Sequence, residues 1–401
     1  MTAPSVLIAG GGIGGLTAAL TLAKIGCSVR VFEQSRAFSE IGAGIQLSPN
    51  CSRVLLDLGL ETALRDCAFI PEGTQFRNWR SGRVIAESVL GDSIAERYGA
   101  PYYHVHRADF LSLLVEAANA HPDIALETRA PVQQVHELGD RVQLVVAGSP
   151  HEGDLLIGAD GIHSRIRSEL WGSKRPQFTG NVAWRALVPT AQLPAGAVRP
   201  VSTVWWGPGR HFVHYYVRGG ALVNCVCVVE KPGWEIESWT ERGDPAELKA
   251  DFAGWHSDVQ LLIDQVEKDS LYKWALHDRP PMPRWGRGRI TLLGDSCHPT
   301  LPFMAQGAAM AIEDAAVLAG CLRADADVSA ALRRYEALRQ PRTAAIQKGS
   351  RRNARVFHLY GLNAWLRNRA ASMARNRTMD ELYRYNPLTV AEHEPAADPQ
   401  R

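Results

Sequence analysis

The sequence predicts an α/β protein in which a parallel-sheet domain is interrupted by an antiparallel-sheet domain and followed by a helical C-terminus. Residues 5–34 indicate a buried strand, a glycine-rich turn, a helix and a second strand, which is the order of a parallel βαβ unit. Residues 181–230 show the alternation typical of antiparallel strands. Residues 289–293, RITLL, form a further apolar strand. We therefore expect a Rossmann-like domain that is interrupted and then resumed.

Composition and charge indicate a packed globular chain. The 401 residues are 46% hydrophobic and 21% charged, with a formal net charge of +2. This composition is not that of a disordered chain, and the balanced charge does not supply the dense basic face that nucleic acid requires. We see no basic leader and no apolar span of ~20 residues. We therefore expect a cytoplasmic monomer or homodimer without nucleic-acid or membrane partners.

The seven cysteines are odd in number and widely spaced, which is typical of reduced thiols in the cytosol. Cys225 and Cys227 form C-x-C in an apolar run. We interpret them as two side chains on one face of a strand rather than as a metal-binding pair.

The glycine-rich turn has the features of a dinucleotide-binding fingerprint. Gly10, Gly12 and Gly15 fit G-x-G-x-x-G after the apolar strand at residues 6–9. The first glycine allows the tight turn, the second a close pyrophosphate and the third close packing of helix on strand. Glu33 follows the second strand, where an acid can accept hydrogen bonds from a ribose. The sequence predicts dinucleotide binding rather than a glycine-rich turn without a ligand.

Two later motifs also follow apolar strands. Residues 158–161, GADG, end one strand, and residues 294–299, GDSCHP, follow RITLL. Asp295, Cys297 and His298 could form a metal site, a thiol nucleophile with its base, or a loop that binds another ligand. Their spacing alone does not decide among these. The irregular pattern at residues 72–105 is unlike the regular alternation of a nicotinamide dehydrogenase.

Together, the three motifs resemble those of flavoprotein aromatic hydroxylases related to salicylate, 3-hydroxybenzoate and 6-hydroxynicotinate hydroxylases. The resemblance extends from residue 4 to about residue 350. It implies FAD as the cofactor, NADH or NADPH and O2 as co-substrates, and a small aromatic substrate. Because the chain has one dinucleotide fingerprint, we expect the nicotinamide cofactor to visit the surface rather than to occupy its own domain.

The resemblance also implies a domain organisation. We expect a discontinuous FAD-binding domain at residues 1–71, 100–171 and 286–345, and a substrate-binding sheet domain at residues 72–99 and 172–285. A helical segment at residues 346–386 and a disordered tail at residues 387–401 would follow.

The family pattern implies which residues contact FAD. The pyrophosphate would lie on Gly14 and Gly15, the ribose on Glu33, and the ribityl chain on Asp295. Amides at the start of a helix would face the flavin's pyrimidine edge. No metal and no thiol base are then needed in the GDSCHP motif. The predicted cofactor-binding residues are Gly10, Gly12, Gly14, Gly15, Glu33, Gln34, Gln46, Arg107, Asp160, Asp295, Gly307 and Ala308.

Three of these assignments have open alternatives. Arg107 would contact the phosphate side of the flavin, or would be a surface arginine capped by Asp109. Asp160 would serve the flavin and the nicotinamide cofactor, or would cap a helix beginning at His163. Gln46 stands where some relatives carry a histidine, and would contact flavin or substrate.

The catalytic candidates lie in residues 205–216, WWGPGRHFVHYY. His211, Val213 and Tyr215 should share one strand face, which matches the substrate face of the family. We expect His211 to titrate near neutral pH and to act as a base, with Tyr215 donating or relaying a proton. The alternative is that these side chains only pack between sheet and helices. His214, on the other face, is expected to be structural.

The resemblance implies a single-component monooxygenase that hydroxylates a hydroxylated aromatic acid. Reduced flavin would react with O2 to give a flavin hydroperoxide, and a base near the ring hydroxyl would promote oxygen transfer. Gln46, and Phe303 where some relatives carry a polar anchor, favour a benzene ring. The alternatives are a 6-hydroxynicotinate-type hydroxylase, a flavin oxidase or dehydrogenase, and, remotely, a non-catalytic nucleotide-binding chaperone.

Overall fold

The computed structural model describes residues 4–38, 43–236, 241–373 and 377–393. Its strands are β1 (Ser5–Ala9), β2 (Ser28–Phe32), β3 (Gly44–Leu47), β4 (Gly73–Asn78), β5 (Val84–Val89), β6 (Tyr103–His106), β7 (Ile124–Glu127), β8 (Val132–Glu137), β9 (Val142–Val146), β10 (Ser149–Gly153), β11 (Leu155–Gly158), β12 (Gln177–Pro189), β13 (Val201–Gly207), β14 (Arg210–Val217), β15 (Leu222–Glu230), β16 (Tyr272–Asp278) and β17 (Ile290–Leu292). Its helices are α1 (Ile13–Lys24), α2 (Pro49–Asp57), α3 (Glu61–Cys67), α4 (Asp92–Tyr98), α5 (Arg107–Asn119), α6 (Arg165–Trp171), α7 (Pro245–Asp251), α8 (Ser257–Asp264), α9 (Gly307–Ala324), α10 (Val328–Phe357), α11 (Gly361–Met373), α12 (Arg377–Tyr383) and α13 (Val390–His393).

A parallel sheet of order β17-β11-β1-β2-β7 forms the first domain. Val6, Leu7 and Ile8 of its central strand are fully buried, because apolar side chains on both faces of a parallel strand must be covered. Helices α1 and α9 pack against each other in the same apolar core. The predicted Rossmann-like βαβ unit at residues 5–34 is confirmed.

A seven-stranded sheet of order β16-β12-β15-β14-β13-β4-β5 forms the second domain. Its pairings are antiparallel except that β13 runs parallel to β4, a departure from the purely antiparallel sheet that the sequence predicts. The strands β4 and β5 form a hairpin that joins this sheet from an earlier part of the chain. Cys225 and Cys227 are buried, unbonded thiols in the core beneath it.

The three sequence motifs meet because their strands are neighbours. Gly10 follows β1, Asp160 follows β11 and Asp295 follows β17, and these strands lie side by side in parallel orientation. Ligands of open α/β sheets bind outside the carboxyl ends of the strands. At this edge a Cβ added to Gly10 would lie 2.4 Å from the carbonyl oxygen of Ala159, so only glycine fits the crossing.

The C-terminal region differs from the predicted helical segment and disordered tail. Helix α10 is one continuous element that crosses the domain boundary expected at residue 345. Residues 387–393 are ordered: Ala391 is buried against the first core, and its carbonyl oxygen accepts a hydrogen bond from Arg334 Nη2 at 2.6 Å. The predicted tail is therefore wrong for these residues, because Leu388, Val390 and Ala391 bury apolar surface. Residues 394–401 lie outside the described chain.

Among the residues that the structure describes, no helix is long and apolar enough to cross a membrane.

Candidate active site

A cavity of about 340 Å³ lies between the two domains, within the size range of small-molecule sites. One wall is formed by the glycine turn and the loop after β17, and the opposite wall by β12, β14, β15 and β16. The cavity therefore brings the nucleotide-type motifs opposite the sheet face that the sequence marks as the substrate face.

The four glycines predicted to bind the cofactor have two different positions. Gly12 and Gly14 line the cavity, and a Cβ added to Gly12 would meet nothing within 4 Å. Gly10 and Gly15 lie behind them, where a Cβ on Gly15 would approach the Gly10 carbonyl oxygen to 2.0 Å. Gly12 leaves space for a ligand, whereas a Cβ on Gly14 would approach Leu293 Cδ2 to 2.8 Å. Gly10 and Gly15 permit the close packing of helix on strand.

Glu33 and Gln34 follow β2 at the edge of this turn. The Glu33 carboxylate accepts hydrogen bonds from Gly11 N at 2.9 Å and from Ser35 N at 2.8 Å. Glu33 thus holds the turn itself, and each of its oxygens has a further lone pair for a ligand. Gln34 is exposed and does not belong to the cavity wall.

Asp160 caps a helix, as one of its two interpretations requires. Its Oδ2 accepts hydrogen bonds from Arg165 N at 2.7 Å and Ile166 N at 3.1 Å. The helix begins at Arg165 rather than at the expected His163. Asp160 Oδ1 is buried without a partner, and burial raises the pKa of this carboxyl. The neighbouring Ala159 and Gly161, not Asp160, line the cavity.

In the GDSCHP motif, Asp295 is separated from its neighbours. Asp295 is exposed on the cavity wall, whereas Cys297 and His298 are buried below it. His298 Nε2 and Asp314 Oδ2 are 2.5 Å apart, and Arg339 Nε donates to Asp314 Oδ1 at 2.7 Å. Although burial opposes its ionisation, His298 and Arg339 hold the pKa of Asp314 at about 2. These bonds tie the loop that carries Asp295 to α9.

The metal interpretation gains one feature that the spacing did not show. Ligand atoms of Cys297, His298 and Asp314 lie within 4.8 Å of one another. The Cys297 thiol donates to the Gly294 carbonyl oxygen at 3.4 Å, and burial raises its pKa well above the ordinary value. A metal would require the thiolate, and the remaining groups already bond to one another. That these residues bind no metal stays a prediction.

The structure places His211, Val213 and Tyr215 on the cavity wall. Phe212 points into the core on the opposite face and packs on Phe252 at 5.8 Å between ring centroids. His214, on that face, is also buried, and burial lowers its pKa to about 3, as suits a structural side chain.

The expectation that His211 titrates near neutral pH is wrong. Burial, together with the neighbouring His358, lowers its pKa well below the ordinary value. Its Nδ1 lies 2.8 Å from His358 Nε2, and the rings of Phe303 and Phe357 pack against it. His211 is therefore a neutral imidazole at neutral pH, with a lone pair available on one nitrogen.

Tyr215 and Gln46 form a second polar group on the wall. Burial raises the pKa of Tyr215, while the neighbouring Arg185 and Gln46 oppose that rise. The Gln46 Oε1 also accepts a hydrogen bond from Tyr102 at 2.6 Å. Gln46 and Tyr215 both line the cavity.

Arg107, Gly307 and Ala308 complete the predicted set, and all three line the cavity. Arg107 is the first residue of α5 and is only partly exposed. Asp109, its alternative partner, forms an ion pair with Arg218 at 2.7 Å. Helix α9 begins at Gly307, so its first free backbone amides are those of Gly307 and Ala308.

One functional candidate was missed from the sequence. Arg185 lies on β12 and lines the cavity, with its guanidinium 4.5 Å from the centroid of the Trp274 ring. It is a single charge within the apolar run NVAWRALV at residues 181–188. A lone charge in a buried strand was the available signal, since such a charge needs a partner or a function.

Comparison with known proteins agrees with this geometry. A family model described as an FAD binding domain matches residues 3–350. A 3-amino-4-hydroxybenzoate 2-monooxygenase from Streptomyces platensis is 42% identical over 358 residues, which cover 89% of each chain. A 6-hydroxynicotinate 3-monooxygenase from Pseudomonas fluorescens is 41% identical over 359 residues, which cover 87% of this chain and 91% of the relative. A salicylate hydroxylase substrate complex matches with a TM-score of 0.83 and 26% identity, over 99% of this chain and 100% of that chain.

The chain belongs to the FAD-binding domain family. Within it, the protein is an FAD-dependent aromatic monooxygenase. The resemblance identified from the motifs is confirmed, and the oxidase and chaperone alternatives are set aside.

Proposed function

We propose that this protein hydroxylates a hydroxylated aromatic acid, with NADH or NADPH as the reductant and O2 as the oxygen donor. The named relatives act on a hydroxylated benzoate and a hydroxylated nicotinate. The observation that carries the proposal for this chain is the unpaired cation of Arg185 on the cavity wall.

Arg185 is half-buried on the cavity wall, and desolvation lowers its pKa to about 10, so it is charged at neutral pH. Its Nε has no hydrogen-bond partner, and no carboxylate of the described residues forms an ion pair with it. Leaving a partly buried charge without an ion-pair partner is costly. A planar guanidinium matches a carboxylate in two parallel hydrogen bonds. The carboxylate of an aromatic acid is therefore the partner that we assign to Arg185.

The opposite wall fits FAD. Gly12 leaves open space at the turn, and Asp295 is exposed on the cavity wall. We assign the pyrophosphate to Gly12 and Gly14, the ribityl hydroxyls to Asp295, and the pyrimidine edge to the amides of Gly307 and Ala308. The remaining predicted contacts, which stay proposals, are Gly10, Gly15, Glu33, Gln34, Gln46, Arg107 and Asp160. FAD when bound supplies the activation of O2.

The chain's own side chains prepare the aromatic ring. His211 is neutral and can accept the proton of a ring hydroxyl at its free nitrogen, which raises the electron density of the ring. Tyr215 shares this face and orients the resulting phenolate through its own hydroxyl. The rings of Phe303 and Phe357 pack on His211 and keep water from it, which limits the loss of activated oxygen as peroxide.

The test compares matched aromatic substrates on two variants. The acids 3-amino-4-hydroxybenzoate and 6-hydroxynicotinate are each paired with the corresponding uncharged amide, and product formation is measured. Arg185→Met should raise KM for the acids by roughly ten- to a hundredfold, since hydrogen bonds to charged groups contribute ~1.5–3 kcal/mol. KM for the amides should change little. The preferred acid also decides between a benzene and a pyridine ring.

Arg242→Met is the matched control. Arg242 belongs to the same domain and also lies 4.5 Å from an aromatic centroid, that of Tyr272, but it does not line the cavity. This variant should hydroxylate as the parent does. Equal losses for acids and amides in Arg185→Met, or no product from any hydroxylated acid with the parent, would contradict the proposal.

A further inference from the structure

The side chain of His211 is the first of three linked groups that run from the cavity to solvent. His211 Nδ1 lies 2.8 Å from His358 Nε2, and His358 Nδ1 lies 2.8 Å from Glu230 Oε1. The His358 side chain is 2% exposed, whereas that of Glu230 is 55% exposed. The three groups come from β14, from the residue after α10, and from the end of β15, so the chain of bonds exists only in the folded protein.

The carboxylate of Glu230 determines which ring nitrogen carries the proton in both His358 and His211. A carboxylate only accepts hydrogen bonds, so the proton in the second bond belongs to His358 Nδ1. A neutral His358 then has a bare Nε2, which accepts a hydrogen bond from His211. His211 therefore carries its proton on Nδ1. Its Nε2, which makes no hydrogen bond within the described chain, retains the lone pair.

We propose that Glu230 and His358 are positioning residues that hold His211 in its basic tautomer and carry the substrate proton from the cavity to solvent. This inference rests on the proposed function, because it takes a ring hydroxyl as the proton donor. The same logic orients a histidine through a carboxylate in hydrolytic triads, but here a second imidazole lies between them and the carboxylate reaches water.

The proton transfer balances without any further reactant. The substrate O–H bond breaks as an N–H bond forms at His211 Nε2, leaving a phenolate. The proton on His211 Nδ1 passes to His358 Nε2, and the proton on His358 Nδ1 passes to the carboxylate of Glu230 and then to solvent. When the product phenolate is protonated by the reverse route, both resting tautomers are restored.

Groups around His358 have opposing effects on its pKa, so that it can both accept and release the proton. Burial and the cations of Arg367 and Arg210 lower its pKa, whereas Glu230 raises it. Arg367 belongs to α11 and donates to the carbonyl oxygens of residues 356 and 357 at 2.9 and 2.8 Å. The backbone of His358 is fixed by a bond from Gly209 N to its carbonyl oxygen at 3.1 Å. His358 is therefore neutral at rest and has charged neighbours of both signs.

The first test is independent of turnover. Nitrogen-15 NMR of histidine-labelled holoenzyme, without substrate, reports which ring nitrogen carries the proton. The inference requires protonated Nδ1 on both His211 and His358. In His358→Ala, the proton of His211 should no longer be confined to Nδ1. Protonation of His211 at Nε2 in the parent would overturn the inference, whether or not any compound is hydroxylated.

The second test follows the hydroxylation step at several pH values with 3-amino-4-hydroxybenzoate as the probe. His358→Ala should slow this step by roughly ten- to a hundredfold, a smaller effect than the loss of a direct base, which costs ~10²–10⁴. The pH at which the rate is half-maximal should also move to a higher value. Added imidazole should restore part of the rate. Glu230→Gln, a surface change that still offers an acceptor, should show a smaller loss with the same upward shift.

Glu267→Gln is the matched control, because Glu267 is an exposed glutamate of the same domain whose carboxylate accepts a hydrogen bond from Gln192 Nε2 at 3.1 Å. It should keep the parent rate and pH profile. Unchanged profiles in both Glu230→Gln and His358→Ala would overturn the relay while the proposed hydroxylation stood. Failure of the parent to hydroxylate the probe and every other aromatic acid would overturn the proposed function and, with it, the assignment of the proton donor.

Discussion

At the scale of single residues, the cavity wall carries a neutral base, His211, and a cation, Arg185. His211 is buried and Arg185 is half-buried on strands of the same sheet, yet desolvation affects the charge of the two residues differently. Burial lowers the pKa of His211 well below the ordinary value, so it loses its charge. Arg185 keeps its charge, because even a pKa of about 10 lies far above neutral pH.

The pH dependence of hydroxylation follows from the direction of the His211 shift. A lowered pKa means that the neutral, basic form is complete above that pKa and is lost only as the pH falls through it. The hydroxylation step should therefore stay level down to pH 6.5, the ordinary imidazole pKa, and decline only at lower pH. His211→Ala should slow the step by ~10²–10⁴, with peroxide replacing product. Tyr215→Phe should act in the same direction but more mildly.

The measurement is product and peroxide formed per NAD(P)H oxidised, at each pH. His214→Ala alters the opposite face of the same strand and should keep the coupling of the flavin-bound enzyme. A midpoint of the parent's rate near or above pH 6.5, or a His211→Ala enzyme with the parent's rate and coupling, would show that His211 is not the base.

Residue-scale properties divide into those that the sequence could predict and those that it could not. Gly12, Asp295 and Gly307 stand in local motifs, and the structure places all three on the cavity wall. The pKa of His211 depends on contacts with Phe357 and His358. His358 lies 147 residues further along the chain. No local pattern contains that contact, so the expected near-neutral pKa was wrong.

At the scale of secondary structure elements, the turn between β1 and α1 separates packing from ligand binding. Gly15→Ala would force a Cβ to within 2.0 Å of the Gly10 carbonyl oxygen, a backbone atom that cannot move aside cheaply. Gly12→Ala meets no protein atom within 4 Å and has an extended backbone at φ −77°. The two substitutions are thus a matched pair within one turn.

Gly12→Ala should leave the thermal stability of the apoprotein unchanged and weaken FAD binding by at least about tenfold, equivalent to ~1.4 kcal/mol. Gly15→Ala should destabilise the apoprotein itself, by ~1–3 kcal/mol or more, as overpacking does. Thermal unfolding without flavin and flavin titration measure the two effects. Normal FAD affinity in a folded Gly12→Ala protein would show that the pyrophosphate lies elsewhere.

Element boundaries show where sequence patterns stop being informative. The period of α1 and the apolar strand β1 are local and were predicted. The parallel pairing of β4 with β13 was not, because it joins residues that lie more than a hundred positions apart in the printed sequence. The order of residues 387–393 was also missed, since three apolar residues, Leu388, Val390 and Ala391, pack against a core that is built from distant parts of the chain.

At the scale of the whole molecule, the two sheets place two kinds of chemistry on opposite walls of one cavity. The parallel sheet contributes its strand ends, with Asp295 and the glycine turn, and the second sheet contributes a face with His211, Tyr215 and Arg185. Helix α10 connects them: Arg339, near its middle, pairs with Asp314 below the cofactor loop, and Phe357, at its end, packs on His211.

In the proposed reaction, one oxygen atom from O2 enters the ring of a hydroxylated aromatic acid bound between these walls. The most direct measurement is mass spectrometry of the product formed by the parent enzyme with NAD(P)H and isotopically labelled O2 in ordinary water. We predict one labelled oxygen atom per product molecule and close to one product molecule per NAD(P)H oxidised. Product oxygen derived from water, or NAD(P)H oxidation that yields only peroxide with every acid of the panel, would contradict the account.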